Sequence, residues 1–140
     1  MTLAKIENAK KVKTFTPEGM ENGVLTELYK DKDKTLLYLT TIKPGMFKGY
    51  HLHRVRAARY MCIKGKAKII LYKNKIREEY ILDANDPARL YIPNNTATGL
   101  ENIGNDEMWL INFPDPAYDP SLKDEQVEYT QEELEQGIVK

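Results

Sequence analysis

The chain contains two histidines, and both lie in one short segment, at positions 51 and 53 of F-K-G-Y-H-L-H. Imidazole is the side chain that takes up and gives back a proton near neutral pH, so the chemistry open to it is general base, general acid or metal ligation. In an extended strand, residues two apart point to the same side and sit about 7 Å apart along the chain. A strand through this segment therefore aims His51 and His53 at one common space. The whole histidine content of the chain spent on one face of one strand marks a candidate site.

That strand needs neighbours, and the sequence supplies them in short pieces. Lys11 to Phe15 reads as an edge strand, Gly23 to Tyr29 as another, followed by the charged turn Lys30 to Asp33. Lys34 to Lys43 runs K-T-L-L-Y-L-T-T-I-K and is broken by Pro44-Gly45. After the histidines come Arg56 to Lys64, a turn at Gly65, and the pair Lys66 to Lys73 and Ile76 to Leu82 joined across Asn74-Lys75. Arg89 to Ile92, Thr98 to Ile103 and Met108 to Phe113 complete the set, with turns at Asn94-Asn95 and Gly104 to Asp106. About nine short strands with turn signals every eight to twelve residues form the pattern of an all-β sandwich or barrel. Beyond Phe113 the chain is loop-like and proline-rich. Thr130 and Glu133 are then spaced as a capping box opening a short helix, Gln131 to Gln136, stopped by Gly137. The expected organisation is one domain over residues 1–140, with its core at about 23–113 and a C-terminal loop and helix at 114–140.

Composition narrows the functional classes. Lysine plus arginine equals aspartate plus glutamate, 21 of each in 140 residues, so the basic bias of a nucleic-acid-binding chain is absent. Cys62 is the sole cysteine, which rules out an internal disulfide and suits a reducing compartment. The first residues, M-T-L-A-K-I-E-N-A-K-K, mix charges without a long apolar run, so neither a secretory signal nor a membrane span is expected and the expected location is cytoplasmic.

Two stretches resemble the cupin motifs. The first motif, G-x5-H-x-H-x4-E-x6-G, is met by Gly45, His51, His53 and Gly65, with Ala58 at the glutamate position. The second, G-x5-P-x-G-x2-H-x3-N, is followed more loosely: Pro93 and Asn102 match, while Asn95 and Thr98 stand at its glycine and histidine. The resemblance implies an all-β double-stranded β-helix, the cupin jelly roll, with a short C-terminal helix added here. In metal-binding cupins the ligands are the two histidines, the glutamate and the second-motif histidine. This chain keeps two of the four, and two imidazoles with water hold a divalent ion weakly. The expectation is a barrel with neither metal nor cofactor.

Within the cupins the sequence is similar to enzymes of nucleotide-linked 4-keto sugars. F-K-G-Y-H-L-H looks like the F-R-G-L-H-Y-Q of dTDP-4-dehydrorhamnose 3,5-epimerases, with His51 in the place of their catalytic base and Lys48 in that of an arginine. L-Y-I-P-N-N-T-A-T-G looks like their L-W-I-P-x-G-F-A-H-G. Lys48 to His53 also resembles the R-G-x-H-x-H of dTDP-4-keto-6-deoxyglucose 3,4-ketoisomerases. Lys43 to Met46, and in part Glu101 to Gly104, resemble the C-terminal cupin domain of capsular polysaccharide reductases. These resemblances imply a metal-independent epimerase or ketoisomerase: His51 as base beside the ketone, His53 as second proton carrier, and Lys48 as a cation for enolate or phosphate. Tyr38, Tyr60, Arg59, Thr98 and Asn112 are the implied substrate contacts. Ala58 takes the place of an epimerase lysine, and the epimerases' general-acid tyrosine falls at Ile111 or Asn112. The chain ends before the point where that family supplies the aspartate that orients its histidine.

Two other functions remain open at this level. One is a non-catalytic cupin that binds a sugar nucleotide or small acid, which Ala58 and Thr98 favour. The other is a metal cupin with atypical ligands such as Glu101 or Asn112. Arg54, Arg56 and Arg59 read as a solvated charged loop, with a phosphate clamp as the other account, and Asp124 to Glu135 as helix solvation. Alternation from Ala58 places Tyr60 and Cys62 inside the barrel and Met61 and Ile63 outside, where a second copy is the expected cover. A nucleotide-linked sugar and a homodimer are thus the expected partners.

Overall fold

The computed structural model describes residues 11–31, 35–116 and 119–140. Within them lie β1 (Lys11–Phe15), β2 (Glu21–Asp31), β3 (Thr35–Ile42), β4 (Phe47–His53), β5 (Ala58–Lys64), β6 (Lys66–Lys73), β7 (Ile76–Asp83), β8 (Leu90–Ile92), β9 (Ala97–Asn102), β10 (Met108–Asn112) and β11 (Gln126–Glu128), followed by α1 (Gln131–Gln136). Every pairing is antiparallel. One sheet runs β1-β2-β3-β10-β5-β8 and the other β11-β4-β9-β6-β7. Part of the charged turn expected at 30–33, and part of the proline-rich loop after Phe113, lie outside the described residues.

The two sheets close on each other as a double-stranded β-helix because β5, β6 and β10 carry apolar residues at alternate positions facing the interior. Ile42, Cys62, Ala67, Ile69, Leu71, Leu100, Met108 and Leu110 meet in one core drawn from both sheets, with Ala58 and Tyr60 packed against it. The alternation from Ala58 thus resolves as expected, with Tyr60 and Cys62 inward. Asn102 is the polar member of this interior. Its amide donates to the carbonyls of Ile42 and Asp106, both at 2.8 Å, and its oxygen accepts from Gly104 N–H at 2.9 Å. It thereby fastens the β9–β10 turn to β3.

A second apolar cluster lies on the outside of the five-stranded sheet. Tyr50, Ile70, Tyr72 and Ala97 are covered there by Tyr129 and Leu134, with Phe47, Leu52 and Val127 at its margin. Tyr50 packs between Phe47 (centroids 5.1 Å apart) and Tyr72 (5.5 Å, edge-on). The covering helix has the expected capping box: Glu133 N–H donates to Thr130 Oγ1, and Thr130 N–H donates to the Glu133 carboxylate. Gly137 closes it in the left-handed conformation, which glycine adopts without steric cost.

Two differences from the sequence expectation matter. Residues 126–128, expected as loop, form β11 and pair with β4 through Gln126 with His53 and Glu128 with His51. The register between β4 and β9 also slips between Lys48 and His51. Gly49 sits in that bulge at φ +120°, where a Cβ would lie 2.6 Å from the Thr98 carbonyl oxygen, so only glycine fits. Among the described residues no helix is long and apolar enough to cross a membrane.

Leu110 is fully buried in the shared core. Leu110→Ala is expected to lower the unfolding free energy by about 3 kcal/mol, and Val12→Ala on exposed β1 by less than about 0.5 kcal/mol, measured by urea denaturation.

Candidate functional site

Strand parity decides what faces inward. Tyr50 and Leu52 pack in the outer cluster, so His51 and His53 project to the opposite, interior side of β4. His51 pairs across to Thr98 on β9 and Glu128 on β11. Thr98 shares a face with Leu100 of the shared core. On the facing sheet, Asn112 of β10 pairs with Tyr38 of β3 on one side and Tyr60 of β5 on the other. These three continue the inward face set by Ile42, Leu110 and Cys62. Two cross-strand rows therefore mark the same end of the barrel: Thr98 and His51 on one wall, continued at the sheet edge by the exposed Glu128, and Tyr38, Asn112 and Tyr60 on the other.

The bulge adds Lys48 to this group. Residues three apart in a regular strand point to opposite faces, and the extra residue at Gly49 restores Lys48 to the face of His51. Lys48 Nζ donates to Thr40 Oγ1 at 2.6 Å, linking β4 to the opposite sheet. Burial lowers the Lys48 ammonium to about 8, because water no longer stabilises the charge. Lys48 and His51 both line a cleft of about 930 Å³ bounded by the β1–β2 turn and by Glu128 to Thr130. Asn22 holds the turn in place, accepting from Thr14 Oγ1 at 2.7 Å and donating to the Phe47 carbonyl at 3.2 Å.

His53 has a different environment. Its Nδ1 lies 3.0 Å from Glu125 Oε1, and Glu125 also accepts from Arg56 Nε at 2.8 Å and from the backbone N–H groups of Val55 at 3.2 Å and Arg56 at 3.3 Å. Burial disfavours the charged form of this carboxyl, but the bonds from His53, the two backbone N–H groups and the guanidinium outweigh it and hold the carboxyl down to about 2. Glu125 is thus an anion at neutral pH. An anion at 3.0 Å from an imidazole nitrogen requires the proton on that nitrogen, so we assign His53 as the Nδ1–H tautomer with Nε2 as the free base. Arg56 Nη2, 3.0 Å from the same Nδ1, then makes a lateral contact. Burial and the Arg56 charge both lower the His53 pKa below its ordinary 6.5. His51 is lowered too, by burial first, with Glu128 opposing and His53 and Lys48 adding to the fall. Gln126 Nε2 lies 3.2 Å from His51 Nδ1; an amide nitrogen only donates, so we assign the His51 proton to Nε2. Burial pushes the Tyr60 hydroxyl up to about 12, so it stays protonated.

The residues expected from sequence divide as follows. His51, His53, Lys48, Tyr38, Tyr60, Thr98 and Asn112 share one end of the interior, although Asn112 Oδ1 is engaged by the Arg59 backbone N–H at 3.1 Å. Arg59 does not join them. It lies on the outer face, its guanidinium 5.0 Å from the Tyr91 ring and 3.3 Å from Asp115, because it alternates with Ala58 and Tyr60. Arg54 and Arg56 are not a solvated clamp. Arg54 donates to the carbonyls of Asp124 and Lys140, and the Arg56 side chain is 9% exposed. Glu125, the carboxylate that orients a histidine, was missed by sequence reading because it sits 72 residues from His53 in an acidic run. The strand-like Q-V-E that follows it was the one available signal.

The interior does not suit a cupin metal. Ala58 and Thr98 stand where two ligands would be, His53 Nδ1 is committed to Glu125, and Arg56 places a cation beside it. Glu101 is no substitute: it shares the outer face of β9 with Ala97 and lies 4.0 Å from Lys68. Among the described residues no cluster of three or more histidine, cysteine, aspartate or glutamate side chains could hold an ion.

Two measurements check the buried pair. Glu125 is held ionised below its ordinary value, so its stabilisation is full above about pH 4.5 and is lost as pH falls through about 2. The depressed His53 acts in the same direction between its folded value and 6.5. Urea unfolding across this range is expected to show roughly 3 kcal/mol of acid loss that Glu125→Gln largely removes. Nitrogen-15 spectra at pH 7 are expected to show His53 protonated at Nδ1 and not at Nε2.

The comparisons with known proteins agree with this architecture. The family model of the polysaccharide biosynthesis C-terminal domain matches residues 19–126. The chain is similar in structure to the capsular polysaccharide assembling protein CapF from Staphylococcus aureus, at 22% identity and TM-score 0.71 over 84% of this chain and 31% of that one. It is similar also to the oxalate decarboxylase OxdC of Bacillus subtilis, at 19% identity and TM-score 0.63 over 77% of this chain and 28% of that one. The chain thus spans about a third or less of the length of these two structures, and at such identities the likeness is one of fold. No curated protein gives a significant match. Through the family match over most of its length, and through its jelly-roll architecture, the chain belongs to the polysaccharide biosynthesis C-terminal domain family of the cupin superfamily.

Proposed function

We propose that this domain is a metal-independent epimerase or ketoisomerase acting on a nucleotide-linked 4-keto-6-deoxy sugar. The family match ties the chain to polysaccharide biosynthesis. The observation that carries the finer reading is the pairing of His53 with the buried Glu125 carboxylate, beside a second imidazole on the same interior face. A ketone acidifies the hydrogens on its neighbouring carbons, and a neutral imidazole backed by a carboxylate is a base suited to removing one. The sequence reading gave the base role to His51; the carboxylate contact moves it to His53 in this proposal. His51 then gives its Nε2 proton as its Nδ1 takes one up from solvent, and His53 releases its extra proton to solvent. Return to the opposite face of the same carbon inverts it, and return to a different atom moves the carbonyl. Tyr60 keeps its hydroxyl proton and can donate to a ketone or enolate oxygen, a form of stabilisation that counts most away from water. Lys48 meets the carbonyl end of the ligand from the cleft.

A second reading rests on Ala58 and Thr98: a barrel that binds a sugar nucleotide without turning it over. The two separate in deuterium oxide. With a dTDP-linked 4-keto-6-deoxyglucose as probe, the catalytic reading expects deuterium on a carbon next to the ketone, lost by roughly 10²–10⁴-fold in His53→Gln. Binding without any exchange by the wild-type protein would reject it in favour of the second.

The homodimer is retained as a proposal. Leu39, Ile111 and Met61 are register neighbours across three strands on the outer face of the six-stranded sheet, and Ile63 beside them is 42% exposed. The helix covers the other sheet, which leaves this row for a second copy. Met61→Lys is expected to halve the mass seen by sedimentation equilibrium; a wild-type monomer at high micromolar concentration would dismiss the dimer.

A further inference from the structure

We infer that Lys48 is a carbonyl-capturing amine, forming a covalent imine with the ketone or aldehyde group of the ligand that enters the cleft. The geometry that points there begins with the bulge at Gly49, which turns Lys48 inward to the face of His51. Nζ donates to Thr40 Oγ1 at 2.6 Å, and Thr40 is itself buried. That bond fixes the nitrogen on the wall without using the lone pair of a neutral amine. Among the described residues Lys48 has no carboxylate within 4.0 Å and no hydrogen-bond partner besides Thr40. Lys43, Lys66, Lys68 and Lys140, by contrast, each have a carboxylate within 4.0 Å. Lys48 also lines, with His51, a cleft of about 930 Å³, large enough for a sugar and part of a nucleotide on the usual scale of ligand sites.

The shifted basicity supports what the placement suggests. With its pKa down at about 8, the amine is neutral at pH 7 on the order of a hundred times more often than an ordinary lysine, the condition that nucleophilic lysines meet by desolvation. The step balances with the groups present. The nitrogen lone pair adds to the carbonyl carbon, the π pair moves to oxygen, and that oxygen takes a proton from His51 Nε2–H. The nitrogen then gives a proton back to His51. A hydronium ion from the solvent-filled cleft then protonates the same oxygen, which leaves as water while the nitrogen lone pair closes the C=N bond of the protonated imine; addition of water and return of that proton to solvent reverse the sequence. A protonated imine draws electrons from the neighbouring carbon more strongly than a ketone does, so it would ease the proton removal assigned to His53. To that extent the inference rests on the proposed proton-transfer chemistry, but capture of a carbonyl can be read independently of it.

The experiment uses dihydroxyacetone as the carbonyl probe and sodium cyanoborohydride as the hydride source that reduces an imine to a stable secondary amine. Peptide mass mapping of the wild-type protein at pH 7 is expected to show the adduct on Lys48 forming on the order of tenfold faster than on any other lysine. Its rate should rise with pH to a half-maximum near 8, and Lys48→Arg should lose this adduct while the slow sites are unchanged. Adducts spread over exposed lysines, with Lys48 no faster than the rest, would overturn the inference. The two claims are separable in the keto-sugar exchange assay. Deuterium exchange at the wild-type rate in Lys48→Arg would defeat the imine and leave the histidine chemistry standing. Rapid trapping at Lys48 in a protein that exchanges no deuterium would do the reverse.

Discussion

The Glu125 carboxylate is 8% exposed, and a charge so far out of water is tolerated only when its oxygens are bonded nearly to capacity. Here they are, by one imidazole, one guanidinium and two backbone N–H groups. All four donors come from residues 53–56, the connection between β4 and β5, whereas the acceptor comes from the segment leading into β11. This single anion therefore does two things. It draws the C-terminal segment against the edge of the five-stranded sheet, where β11 can pair, and it sets the tautomer of His53. The helix that follows is placed by the same anchoring, since Tyr129 N–H reaches the Tyr50 carbonyl at 3.0 Å only when β11 lies beside β4. Fold and site share one electrostatic constraint.

The bulge in β4 is the second device, and it works by geometry alone. A strand of strict alternation could present His51 and His53 inward but would turn Lys48 out among the residues under the helix. The inserted residue keeps Phe47 and Tyr50 in the outer aromatic cluster while bringing Lys48 to the histidine side. Gly49 is required there twice over, by its φ of +120° and by the Thr98 carbonyl that closes on it. Apolar cover outside and polar chemistry inside are thus reconciled within seven residues of a single strand.

Those two devices differ in how far the sequence discloses them. The jelly roll is legible because alternation and turn residues are local: the strands of Lys66 to Lys73 and Ile76 onward, the Asn74-Lys75 turn with both residues at positive φ, and the capped helix all emerge from windows of ten residues or fewer. The inward pair His51 and His53 is legible for the same reason. Glu125 is not, because nothing local distinguishes it from the other acids around it; only the closure of β11 on β4 brings it to His53. Lys48 was singled out in the sequence through its resemblance to the epimerase segment, while the reason it points inward is a slip of register that no period-two count reveals. Arg59 went astray by the opposite route, since its charge suggested a ligand contact and its parity, already evident from Ala58, placed it outside.

Charge balance at the barrel's open end gives these observations a common direction. Lys48 brings positive charge to the interior, whereas the Arg56 guanidinium is paired with Glu125, the one buried anion among the described residues. Both imidazoles are pushed toward their neutral forms, His53 in part by the neighbouring guanidinium and His51 in part by Lys48. An incoming divalent cation would meet two uncommitted ligand positions at most, with Ala58 and Thr98 offering no carboxylate or imidazole. What that end of the interior does present is the Lys48 amine, the protonated Tyr60 hydroxyl and two imidazoles whose charged forms are disfavoured. The polar end of this interior is thus built from imidazoles, an amine and hydroxyls, and carries no set of carboxylate and imidazole side chains among the described residues that would hold an ion.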